Sequence, residues 1–123
     1  MDTVIQSPLT ERFRDADTPY LSPAKVGRFF GYRVQELAER AHVHRNTPKA
    51  RPQAPQLQHY LQQMLRVLAA ATELTGDEAR AVFLVRNEPL AAFGYKTADA
   101  LVQEGRTDAV IAYLESLAGG ASG

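Results

Sequence analysis

Apolar residues recur at helical spacing along most of the chain, and the longest run follows Pro55. Leu57, Tyr60, Leu61, Met64, Leu65, Leu68 and Ala71 keep the i, i+3, i+4, i+7 order of an amphipathic helix that the pattern ends near Thr75-Gly76. Tyr60 and Met64 lie on that stripe and read as core residues, not as ligands. Upstream, Ser22-Pro23 is a helix start with serine as cap and proline at the first helical position. Val26, Phe29 and Phe30 form its buried face, and Gly31 ends it. Val34, Leu37, Ala38 and Ala41 make the next helix. Downstream, Asp77 opens a helix with Ala79, Val82, Phe83 and Leu84 turned inward. Leu90, Phe93 and Tyr95, interleaved with Pro89 and Gly94, predict an ordered loop. Thr97 caps a short helix with Asp99 in its first turn and Gly105 at its end. Thr107 caps a last helix, with Asp108 in its first turn and Val110, Ile111, Leu114, Leu117 and Ala118 on one face. Every element read in this way is a helix, so the fold class is all-α.

The order LAERAHVHRNTPKA, from Leu37 to Ala50, resembles a helix-turn-helix of the pattern LAxxxGVSxxTVxR. Ala38 permits close helix crossing, and Val43 is the buried turn residue. His42 stands where glycine usually supplies a positive φ. Arg45, Asn46, Thr47, Lys49 and Arg51 carry the chemistry of base and phosphate contact: a guanidinium for guanine, an amide for adenine, an ammonium for phosphate. Pro48 replaces a buried β-branched residue, and Pro52 and Pro55 stop any helix within about a turn, so the recognition helix is expected to be short. A solvated basic loop or a partner-facing surface remains the alternative for these five residues.

Charge placement sharpens this reading. The 123 residues carry 14 basic and 14 acidic side chains, but residues 25–51 hold seven basic against two acidic, a net of +5. Residues 56–123 hold five against eight, a net of −3. A local basic excess suits phosphate contact, whereas overall neutrality argues against indiscriminate nucleic-acid binding. The absence of cysteine excludes disulfides and thiol catalysis and suits a reducing cytoplasm. No apolar run reaches the roughly 20 residues of a membrane span, and the N-terminus lacks signal-peptide order, so the chain is expected to be cytoplasmic. His42, His44 and His59 have no metal-ligating spacing, and no phosphate-loop, dinucleotide or nucleophile-elbow motif occurs. Neither an enzyme nor a bound cofactor is expected.

The run from Phe83 through Arg86-Asn87, Leu90, Leu101, Gly105 and Val110 to Leu114 resembles the C-terminal domain of the MbcA/ParS/Xre antitoxins, the partners of RES-domain toxins. Phe83 stands for a common tryptophan, and Ala98 for the proline that commonly opens the next helix. The resemblance implies an N-terminal helix-turn-helix-like bundle joined by a long helix to a small C-terminal helical toxin-binding domain. Residues 1–19 would be an arm, 20–55 the helix-turn-helix-like region, 56–118 the long helix and toxin-binding domain, and 119–123 a flexible tail. It further implies a homodimer that represses its own operon by binding operator DNA and that occludes the cleft of an NAD-consuming toxin. Arg86, Asn87, Tyr95, Lys96 and Arg106 become contact candidates, although Arg86 could equally be a surface ion pair. Gly119, Gly120, Ala121, Ser122 and Gly123 are either a disordered end or a plug for the toxin cleft. A helix-turn-helix regulator whose C-terminal half dimerises or senses a ligand is the alternative function.

Overall fold

A computed structural model describes residues 8–120, and among these it contains eight α-helices and no strand. The helices are α1 (Pro8–Phe13), α2 (Pro23–Phe30), α3 (Val34–Ala41), α4 (Thr47–Ala50), α5 (Pro55–Thr75), α6 (Glu78–Asn87), α7 (Ala98–Gln103) and α8 (Thr107–Gly120), with a 3-10 turn at Ala91–Phe93. The chain divides into two compact units, one ending at Leu65 and the other beginning at Arg66, so α5 runs from the first into the second.

In the first unit each boundary has a local cause. The Ser22 side chain accepts from the Lys25 N–H, Pro23 occupies the first turn of α2, and Gly31 closes the helix at φ +80°. α2 packs against α3, and α3 against α4. Val26, Phe30, Leu37 and Ala38 are buried as their spacing predicts, while Phe29 is half-buried. The first-turn proline of α5 follows a buried Ala54, and the predicted stripe of Leu57, Tyr60, Leu61, Met64 and Leu65 is buried.

Residues 8–19, the described part of the expected arm, fold back on the unit. Phe13 is buried with its ring edge-on to Phe29 at 5.1 Å, and Arg12 lies over both rings. Ser22 N–H donates to Phe13 C=O at 2.8 Å, and Lys25 Nζ to Arg14 C=O at 2.9 Å. Gln58 adds a buried clamp that spacing does not reveal. Its Oε1 accepts from Leu21 N–H at 2.9 Å, and its Nε2 donates to the carbonyls of Leu21 and Pro52, each at 2.8 Å. The amide thereby satisfies backbone groups that no helix or strand can reach.

In the second unit α6 packs on α7, and α7 on α8. Gly76 at φ +74° ends α5, and Asp77 caps α6 by accepting from Ala79 N–H at 2.8 Å. The expected register of α6 needs correction. Ala81, Leu84 and Val85 face inward, Val82 is half-buried, and Ala79 and Phe83 are exposed. Ala81 to Val85 are five consecutive apolar residues that cover the whole helix circumference, so packing and not periodicity selects the inward side.

Thr97 caps α7 by accepting from Ala100 N–H, and Gly105 closes it at φ +80°. α8 begins at Thr107 itself, so Arg106 holds the cap position expected for the threonine, and Thr107 is buried. Val110 and Leu114 form its buried stripe and Ile111 is half-buried, whereas Leu117 is exposed rather than inward because the last turn from Glu115 is largely solvated.

Candidate functional site

In the first unit the segment expected to be a helix-turn-helix consists of α3, the following turn and the short α4. His42 occupies the left-handed region at φ +61°, the conformation anticipated for the usual glycine, and its N–H donates to Glu39 C=O. Val43 N–H reaches back to Ala38 C=O at 3.0 Å, completing a glycine-type helix stop without glycine. Such a backbone costs an imidazole residue about 1–2 kcal/mol, so neighbouring packing must hold it.

α4 has only the four residues Thr47–Ala50, as the proline spacing predicts. Pro48 is buried, filling with a ring the place of the usual β-branched residue. His44 Nδ1 accepts from Asn46 N–H at 3.0 Å and so organises the turn that leads into α4. Arg45, Asn46, Lys49 and Arg51 are exposed and Thr47 is half-buried. The three cationic side chains form no ion pair among the described residues, so their charge faces solvent. Arg40 differs: its guanidinium lies over the Tyr32 ring at 4.2 Å.

The second unit builds a connected polar and aromatic surface around the loop between α6 and α7. Leu90 is buried and anchors this loop, pairing with Lys96 as an isolated antiparallel bridge in which Leu90 N–H donates to Lys96 C=O at 2.9 Å. Phe93 packs edge-on against Tyr113 of α8 with centroids 5.5 Å apart, and Arg106 covers the other part of the Phe93 ring at 5.2 Å. Lys96 donates to Glu104, and Arg106 stands 3.7 Å from the same carboxylate. The hydrogen bond from Lys96, reinforced by both positive charges, holds the Glu104 carboxyl below its ordinary value. At the base of α8, Arg66 of α5 pairs with Asp108 at 3.0 Å.

The contact candidates separate by location. Lys96, Arg106 and Tyr95 belong to the loop surface, with Tyr95 the most exposed at 70%. Half-buried Arg86 and exposed Asn87 end α6. Gly119 and Gly120 are the last residues of α8, while Ala121, Ser122 and Gly123 lie outside the described residues. Phe83, 61% exposed, joins the candidates. The sequence pattern assigned it inward because a phenylalanine in an apolar run is ordinarily core. Among the described residues there is no group of three or more acidic, histidine or cysteine side chains able to hold a metal, and no helix long and apolar enough to cross a membrane.

Residues 70–120 match the family model of the antitoxin Xre/MbcA/ParS C-terminal toxin-binding domain. That span takes in the end of α5, all of α6, the loop, α7 and α8. Neither the curated proteins nor the solved structures contain a match to the chain.

Proposed function

We propose, for a chain whose residues 70–120 belong to the Xre/MbcA/ParS C-terminal toxin-binding domain family, that the second unit neutralises a RES-domain, NAD-consuming toxin by covering the mouth of its active-site cleft. The observation that carries this reading is the domain match over the segment in which a capped helix pair and an ordered loop present Tyr95, Lys96 and Arg106 to solvent. Occlusion requires affinity and geometry but no catalytic group in the antitoxin. It operates by mass action, because a toxin held in complex cannot admit a dinucleotide. Arg86 and Asn87 extend the contact surface along the end of α6. Gly119 to Gly123 are small enough to enter the cleft, with α8 providing the affinity that ordering such a tail consumes.

The first unit is assigned to operator DNA. Arg45, Asn46, Thr47, Lys49 and Arg51 form the reading and phosphate-contacting group, and a homodimer would present two such groups to a two-fold operator in the cytoplasm. The exposed cations beside the left-handed His42 turn support this second activity. The same turn underlies the alternative of a transcriptional regulator that has no toxin partner.

Co-expression with the protein encoded in the adjacent reading frame tests the toxin reading. The full chain is expected to restore growth and cellular NAD, whereas failure to bind or protect against a proven toxin refutes it. Truncation after Leu117 removes the whole tail; binding without protection would support the plug, and full protection would eliminate it while leaving helix docking intact. Retardation of the chain's own promoter fragment tests the first unit, with Arg45→Ala and Lys49→Ala each expected to weaken it. Equal retardation by both variants and the parent removes the base- and phosphate-contact assignment of Arg45 and Lys49.

A further inference from the structure

Tyr95 unites two costs within one residue. Its φ is +68°, and Gly94 before it has the same φ of +68°. Two successive left-handed residues between Phe93 and Lys96 make a turn of the I′ type, in which Lys96 N–H donates to Phe93 C=O at 3.4 Å. Such turns take glycine, asparagine or aspartate at both central positions, because a larger side chain crowds the backbone there. Gly94 fits that requirement and Tyr95 does not. Burial of the ring offers no compensation: at 70% exposure it is the most solvent-accessible large hydrophobic side chain among the described residues.

The loop also holds the backbone that carries this ring in a fixed place. Leu90 is buried, Tyr95 N–H donates to Leu90 C=O at 2.9 Å, and Phe93 is wedged against Tyr113. On the far side, Lys96 is tied to Glu104. An aromatic side chain displayed on a turn braced at both ends loses little conformational freedom when it enters a pocket. Backbone strain kept at a site where the free chain gains nothing from it is the mark of a residue selected for another state.

We propose that Tyr95 is the anchor of the toxin-binding domain: its ring inserts into an apolar pocket on the toxin, and the left-handed backbone is retained for that display at a cost to the stability of the free chain. The proposal rests on the toxin-binding reading of residues 70–120, within which the turn lies. That location favours the toxin over a second copy of the chain as occupant. Because the strain belongs to the free chain and the contact to the complex, stability and affinity must move in opposite directions on substitution.

The test uses the full chain as parent, Tyr95→Gly, Tyr95→Asn and Tyr95→Phe, with thermal melting of each and calorimetric titration against the toxin encoded in the adjacent frame. Glycine and asparagine accept the left-handed backbone, so both variants are expected to melt about 4 °C or more above the parent. Both are expected to bind the toxin at least about tenfold more weakly, as loss of a buried aromatic anchor does. Tyr95→Phe keeps ring and strain and should leave melting and affinity near the parent's. Parent-like toxin affinity in Tyr95→Gly overturns the anchor while leaving the toxin-binding reading intact. Lower melting in both Gly and Asn variants overturns the strain argument. A change in the chain's own sedimentation mass with toxin affinity unmoved would assign the ring to a second copy and refute the proposal. A parent that binds no toxin refutes the underlying reading, and the melting series still separates that failure from an error in the strain argument.

Discussion

Gly27 lies in the middle of α2, where a residue without a side chain ordinarily weakens a helix by about 1 kcal/mol. The reason for it is tertiary. A Cβ built there would stand 2.7 Å from the Tyr32 carbonyl oxygen and 3.2 Å from Leu37 Cδ1. The same approach lets Tyr32 N–H donate to Gly27 C=O at 2.7 Å. Gly27→Ala should therefore destabilise the chain by about 1–3 kcal/mol despite its better helix propensity, because the obstacle is backbone and cannot rotate away. Urea unfolding checks this, and a gain in stability would contradict the close approach. Gln58 raises the same issue in polar form. Gln58→Met would leave Leu21 and Pro52 backbone groups without their partner and should cost about 2 kcal/mol or more in the same assay. Neither role is legible in sequence. Gly27 carries no local sign of a close approach, and Gln58 falls between the stripe positions Leu57 and Tyr60, because each role is defined by a segment brought to it by folding. Gly31, Gly76 and Gly105 were legible because a helix end is a local event, and His42 was legible because its turn motif demands one conformation.

Elements were readable to the extent that local chemistry decides them. Ser22, Asp77 and Thr97 cap where expected, and α4 is cut to one turn by Pro52 and Pro55. The seven stripe positions predicted for α5 are all buried, since a long helix averages its pattern over many turns. α6 has 10 residues with five consecutive apolar ones, which leaves the choice of face to its neighbours and puts Phe83 outside. The loop after it was expected to be ordered, but the left-handed Tyr95 was not foreseeable, because tyrosine gives no sign of such a backbone. The tie between this loop and the end of α7 has a pH signature. The lowered folded value of Glu104 means that pairing with Lys96 contributes above the unfolded carboxylate value and is lost as pH falls through the folded one, below the ordinary 4.5. In Lys96→Met the Glu104 carboxyl should titrate nearer that ordinary value, since the hydrogen bond that chiefly lowers it is gone. Carboxyl-carbon chemical shifts followed against pH read this directly. An unmoved midpoint would mean that Lys96 does not set the charge state of the loop.

At the scale of the whole molecule, charge and chemistry are divided between the two units. The basic excess of residues 25–51 lies in the unit that ends at Leu65, and the toxin-binding match falls entirely in the unit that begins at Arg66. If each activity is carried by its own unit, substitutions should separate them in the intact chain. The double variant of Arg45→Ala with Lys49→Ala should lose operator retardation and reduce the salt dependence of binding by about one unit of log–log slope for each phosphate contact removed. Protection against the toxin should be unchanged in that variant. Tyr95→Gly should do the reverse, retarding the promoter fragment as the parent does while failing to protect. The separation holds only if neither binding event reorganises the other unit, because allosteric coupling is reciprocal: a toxin that altered operator affinity would have its own affinity altered by operator in equal measure. Titrating toxin into the operator complex of each variant measures that coupling, and a factor distinct from one in the parent would show that the two binding events are linked and not independent.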